Sequence, residues 1–242
     1  MAATETFSEK LLYEGKAKQI FKTASQGEIL IRYKDSATAF NGEKKEIIAG
    51  KGRLNMAFTK HFFTLLENNG IKTHTVKYTD ELSMIAKKVE IILLETIVRN
   101  YAAGSICKRL GYEKGVKFEE PVFEIFYKND DLGDPLITQE EAVSKGLASA
   151  AEINIIKNQA LAINEILSKY ADSKSVTLVD FKLEFGRLPD GEIILADEIS
   201  PDTCRFWKKG TTDSLDKDVF REAKGSLIES YTKLAGILGV EL

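Results

Sequence analysis

Charged residues that alternate with apolar ones in the segment 176–187 could assemble a site for a metal ion and a phosphate. Asp180, Lys182 and Glu184 are spaced by two, so a β-strand would place all three side chains on one face. Carboxylate oxygens suit Mg²⁺, which usually takes only one or two protein carboxylates and leaves its other positions to water and phosphate. The alternative interpretation is a solvated strand face with surface ion pairs, and this segment alone favours neither.

The residues that follow this strand predict a β-hairpin that returns a second acid to the same face. Pro189-Asp190-Gly191 is typical of a turn, because proline fixes φ and glycine tolerates a positive φ. A return strand over 193–196 then leads to Asp197, which a two- or four-residue loop would place beside Lys182 and Glu184. Asp197 and Glu198 also precede a loop, where functional residues are often found.

Two further segments contain residue types that suit phosphate binding. Lys16 and Lys18 would share one face of a strand, with Gly15 allowing close backbone approach, although lysines also protect ordinary edge strands. Arg99 follows an apolar strand, and small residues lead from it to Ser105, which could cap a short helix. A helix N-terminus and an arginine together suit a phosphate monoester; an ordinary capped helix with an ion-paired arginine is the alternative.

Composition limits the class of protein without deciding its function. The 242 residues with 43% hydrophobic content suffice for one large domain or two small domains that share a cleft. A net charge of −3, from 34 basic and 37 acidic residues, gives no overall basic field for nucleic acid or an anionic membrane. The two cysteines fit a reducing compartment, and no segment resembles a membrane span or a signal peptide, so we expect a cytoplasmic protein.

Hydrophobic periodicity predicts a sheet-rich first part and a mixed second part. Strands are expected over 11–21, 28–33, 71–80, 84–90, 91–99 and 122–127, and a helix over 53–69. Apolar stripes predict one long helix through Ile153, Ile156, Ala160, Ile163 and Leu167, and another through Phe220, Ala223, Leu227, Tyr231, Leu234 and Leu238. A change of domain is expected near 90–94.

Seven motifs, in order along the chain, resemble those of the SAICAR synthetase family, the phosphoribosylaminoimidazole-succinocarboxamide synthases. The similarity runs from about Tyr13 to the C-terminal helix, which is nearly the whole chain. The motifs are YEGKAK, DSATAFNGEKK, GKGRLN, VRNYAAGS, YKNDDLGDP, LVDFKLEFGR and ADEISPDTCRFW.

The resemblance implies an ATP-dependent and Mg²⁺-dependent ligase of purine biosynthesis. Such an enzyme joins L-aspartate to carboxyaminoimidazole ribotide (CAIR) through an acyl phosphate and releases ADP and phosphate. The implied fold is α+β with two lobes: an antiparallel-sheet lobe over 1–92 and a mixed α/β lobe over 93–242, with ATP in the cleft between them. The family is commonly oligomeric, so a homodimer is expected.

The resemblance also implies roles for individual residues around ATP. Lys16 and Lys18 match the nucleotide-phosphate lysines, and the adenine is expected near the backbone of 90–94, with Glu95 close to it. Glu184 and Asp197 match the metal-binding pair.

Three more groups of residues match segments for the other two substrates and the reacting centre. The ribotide-phosphate segments contain Arg99, Ser105, Arg205 and Arg221. The catalytic positions are Lys128, Asp134, Asp180 and Lys182, with the general base left open between the two aspartates. The L-aspartate pocket is expected to include Ser36 and Thr38.

The chain departs from the family pattern after the tryptophan of the last motif, where many relatives carry an aspartate. Lys208 stands there instead and reverses a charge close to Arg205. Two other hypotheses remain: a carboxylate–amine ligase with a different substrate, and a non-catalytic nucleotide-binding module.

Overall fold

Helices and antiparallel strands form the described part of the chain, residues 10–39 and 44–242 of this computed structural model. Up to the middle of the chain, the elements are β1 (Leu11–Glu14), β2 (Lys18–Lys22), β3 (Glu28–Tyr33), β4 (Ser36–Ala39), β5 (Lys44–Ile47), α1 (Lys51–Glu67), β6 (Thr75–Tyr78), β7 (Ser83–Lys87), β8 (Glu90–Ile91), β9 (Leu94–Tyr101) and α2 (Ser105–Leu110). The remaining elements are β10 (Lys117–Tyr127), β11 (Leu136–Ile137), α3 (Gln139–Ser144), α4 (Ala150–Ser173), β12 (Val176–Arg187), β13 (Ile193–Ala196), β14 (Cys204–Lys208), α5 (Asp218–Arg221) and α6 (Leu227–Leu238). The fold class is α+β, as predicted.

The first sheet has five strands in the order β1-β2-β3-β7-β6. The prediction of one strand over 11–21 was wrong, because β1 and β2 are separate and antiparallel. The chain reverses between them, and the amide of Gly15 donates to the carbonyl of Lys18 at 2.8 Å to close the turn. Lys16 therefore lies in a turn and Lys18 opens β2, so the two lysines do not share one strand face as expected.

The second sheet has seven strands and is organised around β12. Its order is β11-β10-β9-β12-β13, and β14 and β8 also pair with β12. In this register Asp180 lies opposite Arg99 of β9 on one side and opposite Arg205 of β14 on the other. The pairing of the backbone thus brings two arginines to one carboxylate before any side-chain contact is considered.

Helices α1, α4 and α6 contribute most of the helical residues that pack with the second sheet in one large hydrophobic core. Helix α1 contributes Phe58 and Phe62, and the ring of Phe62 stacks on Phe206 of β14 with centroids 5.9 Å apart. Helix α4 begins with a capping box between Ser149 and Glu152, and it buries the predicted stripe from Ile153 to Leu167. Helix α1 begins and ends two residues earlier than the helix predicted over 53–69.

The predicted C-terminal helix through Phe220 and Leu238 is instead two helices, α5 and α6. Between them Ala223 adopts a positive φ of 53°, which no helix residue can have, and Ser226 caps the start of α6 by accepting from the amide of Glu229. The apolar stripe continues across the break, which explains why the pattern suggested one helix.

The predicted lobe boundary at residues 92 and 93 remains a prediction. Strands β1 to β3, β6 and β7 form the first sheet, and strands from β8 onward belong to the second. Helix α1, however, packs into the large core with α4 and α6.

None of the helices in the described residues is both long enough and apolar enough to cross a membrane.

The aromatic contact between α1 and β14 yields a prediction for stability. Phe62 is 1% exposed, so Phe62→Ala leaves a cavity, and we expect the free energy of unfolding to fall by about 3–5 kcal/mol. Urea unfolding measures the change. Ile155→Ala on α4 is the control, because Ile155 is 46% exposed and its truncation leaves no cavity. Equal losses in the two variants would contradict the packing described.

Candidate active site

One face of β12 carries a cluster of lysines and carboxylates, as the alternation predicted. The ammonium of Lys182 lies 2.7 Å from Glu95 Oε1 and 3.3 Å from Glu184 Oε1. The same Glu184 oxygen accepts from Lys128 Nζ at 2.6 Å. Three predicted catalytic or metal-binding side chains and the predicted ATP-side Glu95 therefore lie within one set of direct contacts.

Asp197 reaches this cluster by a route that differs from the predicted one. Ala196 lies opposite Glu184 in the hairpin, so an unbroken strand would point Asp197 to the other face. Instead β13 ends, and Asp197 adopts a left-handed φ of 61°. Its charge acts on Lys18, Lys182 and Lys128, so the carboxylate still converges on the lysines of the cleft. The expected neighbourhood is present, but the register argument for it was wrong.

Lys18 lies between two consecutive carboxylates. Its ammonium forms an ion pair with Asp197 Oδ1 and another with Glu198 Oε1 at 3.0 Å. Glu198 is 4% exposed, and its second oxygen accepts from the hydroxyl of Ser200 at 2.8 Å. The side chain of Asp197 is 25% exposed, whereas that of Glu198 is almost fully buried.

The pKa values in this cluster favour fully charged groups. Burial opposes the charged form of Lys18, but Asp197 and Glu198 raise the pKa of Lys18 well above its usual value. Burial likewise opposes ionisation of Asp197, but Lys18 and Lys182 hold the pKa of Asp197 below its usual range. Glu184 and Glu95 similarly raise the pKa of Lys182 against the effect of burial. Lys18, Lys182 and Asp197 therefore keep their charges because groups of opposite charge lie beside them.

The carboxylates of this cluster fit a divalent cation that brings its own phosphate ligands. Within the described ranges no three His, Cys, Asp or Glu side chains form a metal-binding group. Mg²⁺ does not need three, since one or two carboxylates suffice when phosphate oxygens and water complete the shell. Glu184 and Asp197 supply two such carboxylates, both acting on the ammonium of Lys182. The donor set therefore fits Mg²⁺ bound together with a nucleotide.

The loop after β10 contacts the Gly15 turn. Lys16 Nζ contacts Asp130 Oδ1 at 2.7 Å, which links the two loops. Asp134 has a φ of 50° and its Oδ1 accepts from the amide of Asn129 at 2.8 Å. Asp134 therefore shapes the loop that begins at Lys128.

A cavity of about 460 Å³ opens between the Gly15 turn and the β4–β5 hairpin. Lys16, Lys34, Ser36 and Asp130 contribute to its lining. The hydroxyl of Ser36 donates to the carbonyl of Lys16. The side chain of Thr38, predicted beside Ser36, lies outside the described part of the chain.

The segment expected near the adenine joins β8 to β9. The amide of Ile92 donates to the carbonyl of Phe185 at 2.9 Å, and the amide of Lys128 donates to the carbonyl of Leu93 at 3.1 Å. The segment is thereby fixed to β12 on one side and to the Lys128 loop on the other.

A second cluster, the arginine chain, lies at the other end of the same β12 face. Asp180 is its centre and is 3% exposed; its oxygens accept from Arg99 Nη1 at 2.7 Å and from Arg205 Nη1 at 2.9 Å. Four arginines and three carboxylates leave one surplus positive charge in the chain. The order of contacts is Arg109, Glu124, Arg99, Asp180, Arg205, Asp218 and Arg221.

Ser105 does not cap α2, contrary to the prediction. Gly104 occupies the cap position with φ 65° and ψ −129°, and Ser105 is the first helical residue. The Ser105 hydroxyl instead accepts from Arg99 Nη2 at 3.1 Å. A Cβ atom on Gly104 would lie 2.6 Å from Arg205 Nη2, so glycine is required for the guanidinium to lie there.

Lys208 does not disturb this chain. It ends β14 with an exposed side chain, while the charge of Arg205 is balanced by Asp180 and Asp218. Burial opposes the charged form of Arg205, but those two carboxylates hold its pKa above the usual value.

Five residues in or beside these clusters were not among the predicted site residues: Arg109, Glu124, Glu198, Asp218 and His74. Glu198 carried a partial signal, since it neighbours Asp197 after an apolar run. No local motif marks Glu124 or Asp218. Only the pairing of β9 with β10, and of β14 with the chain leading to α5, identifies them as arginine partners. Sequence spacing alone contains no such information.

His74 lies beneath Asp197. Its ring is 3% exposed and packs edge-on against Phe63 with centroids 5.8 Å apart. Burial and the Lys18 ammonium lower the pKa of His74 to about 4, so the ring is neutral at physiological pH.

Comparison with known proteins identifies the family. A model of the SAICAR synthetase family matches residues 11–237. The phosphoribosylaminoimidazole-succinocarboxamide synthase of Coprothermobacter proteolyticus is 54% identical over 229 residues, which cover 95% of this chain and 97% of the relative. The enzyme of the same name from Staphylococcus carnosus is 54% identical over 221 residues, covering 91% and 94%.

Solved structures show the same fold. The phosphoribosylaminoimidazole-succinocarboxamide synthase of Ehrlichia chaffeensis superposes with a TM-score of 0.93 at 41% identity, covering 96% of this chain and all of that one. A SAICAR synthetase in complex with ADP superposes with a TM-score of 0.92 at 48% identity, covering 95% and 97%.

The neutral state of His74 predicts a pH dependence of stability. Below its ordinary pKa of 6.5 the unfolded chain binds a proton at His74, whereas the folded protein does not until about pH 4. The free energy of unfolding should therefore fall as pH falls through this range, by up to about 1.4 kcal/mol per pH unit from this group. Urea unfolding across the range measures the slope.

His74→Phe should reduce that slope, because it removes the titrating ring. Burial also lowers the pKa of His61, so His61→Phe should reduce the slope in the same direction. A slope unchanged in His74→Phe would show that the ring is not held neutral in the folded state.

Proposed function

The chain belongs to the SAICAR synthetase family, and we propose that it joins L-aspartate to the carboxylate of CAIR in the two-cluster cleft described above. It is an ATP-dependent ligase of purine biosynthesis. The reaction consumes ATP and yields ADP, phosphate and the succinocarboxamide product.

The arrangement of two charged clusters along β12 carries the proposal. The arginine chain centres on Asp180, and the lysine–carboxylate cluster centres on Glu184, four residues further along the strand. At the usual rise of a strand this separation is about 13 Å, which leaves room for a ribose and an imidazole ring. A ribotide can therefore place its phosphate at the arginine chain and direct its carboxylate towards the lysines.

The arginine chain supplies a site for the ribotide phosphate. Its surplus positive charge attracts an anion, and guanidinium groups bind phosphate oxygens in pairs. Asp180 holds Arg99 and Arg205 in place, so these side chains lose little conformational entropy when the phosphate binds. Ser105 offers a hydroxyl beside Arg99, and Arg221 extends the site through Asp218.

The lysine–carboxylate cluster supplies a site for the ATP phosphates. Lys16, Lys18 and Lys182 would each exchange a protein carboxylate for a phosphate oxygen when the nucleotide binds. Glu184 and Asp197 would then hold Mg²⁺, which supplies charge neutralisation to the phosphate groups. No charge is left unpaired by the exchange, because the ligand brings both signs together. The adenine would meet the backbone of 90–94 near Glu95.

Two chemical steps then form the amide. A carboxylate oxygen of CAIR attacks the γ-phosphorus of ATP, which yields an acyl phosphate and ADP. The aspartate amine attacks the carbonyl carbon, and the C–O bond to phosphate breaks as the amide forms. Lys128 and Lys182 would stabilise the charge that develops on the transferred phosphoryl group.

The amine must lose a proton in the second step, and Asp134 is the better candidate of the two aspartates. Both carboxylate oxygens of Asp180 already accept from Arg99 or Arg205, so they are engaged in holding the arginine chain. Asp134 accepts only a backbone amide among its recorded contacts and lies in the loop that carries Lys128.

The finer parts of the proposal concern the amine substrate and the cellular setting. The cavity lined by Ser36 and Lys16 is the proposed pocket for L-aspartate, together with Thr38. Lysines suit its two carboxylates. We further propose Mg²⁺ dependence, a homodimer and a cytoplasmic location.

Measurement of ADP release tests the function. We expect release only when ATP, Mg²⁺, CAIR and L-aspartate are all present, with the succinocarboxamide detected by mass spectrometry. Glu184→Gln should abolish turnover, because the neutral side chain cannot balance Lys128, Lys182 and the metal. Glu192→Gln is the matched control on the same hairpin, since Glu192 pairs only with the exposed Lys72 among recorded contacts.

ATP binding without turnover would support a non-catalytic module instead. Turnover with a different amino acid but not with aspartate would support a ligase of other specificity.

Gly104→Ala tests the phosphate site. The new Cβ would displace the Arg205 guanidinium, so we expect the KM for CAIR to rise by about tenfold or more while the KM for ATP stays unchanged. Gly111→Ala is the control at the other end of α2, because it also has a positive φ but no atom within 4 Å of a new Cβ. Equal effects of the two changes on the KM for CAIR would show that backbone strain, and not Arg205, is responsible.

A further inference from the structure

Asp216 is a buried acid that the proposed mechanism does not use. It lies in the segment between β14 and α5, and its exposed fraction is 0%. Its carboxylate accepts two hydrogen bonds within the described residues, and both donors are backbone amides. A carboxylate is costly to bury without a cation in direct contact, so an apolar side chain would serve better if only packing mattered. The two amides are therefore the feature that an aspartate serves here.

These two amides belong to neighbours within the arginine chain. Asp216 Oδ2 accepts from the amide of Phe206 at 2.8 Å, and Phe206 directly follows Arg205 in β14. Asp216 Oδ1 accepts from the amide of Asp218 at 2.8 Å. The carboxylate of Asp218 in turn accepts from Arg205 Nε at 2.8 Å. The contacts therefore close a ring through Arg205, Phe206, Asp216 and Asp218.

This ring fixes the direction of the Arg205 guanidinium. Asp218 holds Nε, and Asp180 accepts from Nη1 at 2.9 Å. Nη2 is directed at the turn before α2, because a Cβ atom on Gly104 would lie 2.6 Å from it. Asp218 also accepts from Arg221 Nη1 at 2.6 Å. The placement of Asp218 thus sets two arginines of the chain at once.

The backbone on both sides of Asp216 is anchored as well. The amide of Leu215 donates to the carbonyl of Phe206 at 2.8 Å, and the amide of Lys217 donates to the carbonyl of Pro201 at 3.2 Å. The Asp216 side chain makes the link from β14 to the start of α5. A serine could form the turn before α5, but only a carboxylate offers one oxygen to each of two separate amides.

We propose that Asp216 is a positioning residue for the ribotide phosphate: it joins β14 to α5 and thereby holds Arg205 and Arg221 in the arrangement that binds the phosphate. This role rests on the proposed function, in which the arginine chain binds CAIR. Asp216 does not contact the phosphate itself, because it is fully buried and both of its carboxylate oxygens are engaged. It acts through Asp218 and the strand that carries Arg205.

A purely structural role is the alternative, in which Asp216 only shapes the turn into α5. The turn needs the bond to the amide of Asp218, whereas positioning also needs the bond to the amide of Phe206. The two roles also differ in what is lost. A turn that fails lowers the stability of the whole enzyme, whereas a displaced Arg205 weakens the binding of one substrate.

Two substitutions at Asp216 separate these roles. Asp216→Ser can keep the turn through its hydroxyl but has no second oxygen for the amide of Phe206. Asp216→Asn keeps the size of the side chain but presents an NH₂ group, a donor, to one of the two amides. Asp213→Asn is the matched control, because Asp213 lies in the same segment and its side chain is exposed.

The measurements are the KM values for CAIR and ATP, kcat, and urea unfolding of each variant. We expect both Asp216 variants to raise the KM for CAIR by about tenfold and to leave kcat and the KM for ATP unchanged. Asp213→Asn should behave as the wild type. An unchanged KM for CAIR in Asp216→Ser, or equal rises in the KM values for CAIR and ATP, would overturn the inference.

Arg205→Lys, measured in parallel, distinguishes this inference from the proposed function. If Arg205→Lys raises the KM for CAIR and Asp216→Ser does not, the role of Asp216 is wrong and the phosphate site stands. If the wild type releases no ADP with CAIR, or Arg205→Lys leaves the KM for CAIR unchanged, the proposed phosphate site is wrong and the role of Asp216 falls with it. Should Asp216→Asn fail to fold, Asp216→Ser decides alone, because it retains an acceptor for the turn.

Discussion

Burying a charge is costly unless an opposite charge compensates it, and this constraint organises the whole cleft. Asp180, Glu184 and Glu198 are each less than a tenth exposed, and each lies against at least one lysine or arginine. The compensation is built into the sheet register, which sets Asp180 between two arginines on neighbouring strands. Side chains that would otherwise be flexible are thereby held in one arrangement.

The same pairing makes the cleft suited to a ligand that carries both signs of charge. A lysine paired with a carboxylate has little net charge, so the pair repels neither a polyanion nor a cation strongly. A metal nucleotide offers phosphate to the lysines and a cation to the carboxylates, so the protein exchanges partners without exposing a bare charge. This explains how a chain with a net charge of only −3 can suit several anionic substrates. The charges that matter are arranged locally along β12.

Local pattern predicted several of the elements but not the contacts between them. The alternation of β12 and the stripe of α4 each mark one apolar face that packs in the core, so periodicity predicted both, although the charged face of β12 is buried as well. Where the apolar pattern runs across a reversal, as at Gly15 or Ala223, it predicted one element in place of two. The site shows the same limit: Ser105 and Asp197 were placed near their partners, but by a cap and a register that do not exist. Acids such as Glu124 acquire their role only from strand pairing, which a single sequence does not specify.

The position of α1 has a consequence for how the molecule can be divided. Phe58, Phe62, Phe63 and Leu66 of this helix fill the large core, although the helix precedes the strands of the second sheet. A fragment that begins after residue 92 would expose the aromatic surface that α1 covers, and we expect it to aggregate. The complementary fragment, up to residue 92, would retain α1 and expose the apolar side of this helix to water. The predicted lobes 1–92 and 93–242 therefore share one core, and neither could be exchanged for another module without a substitute for this helix.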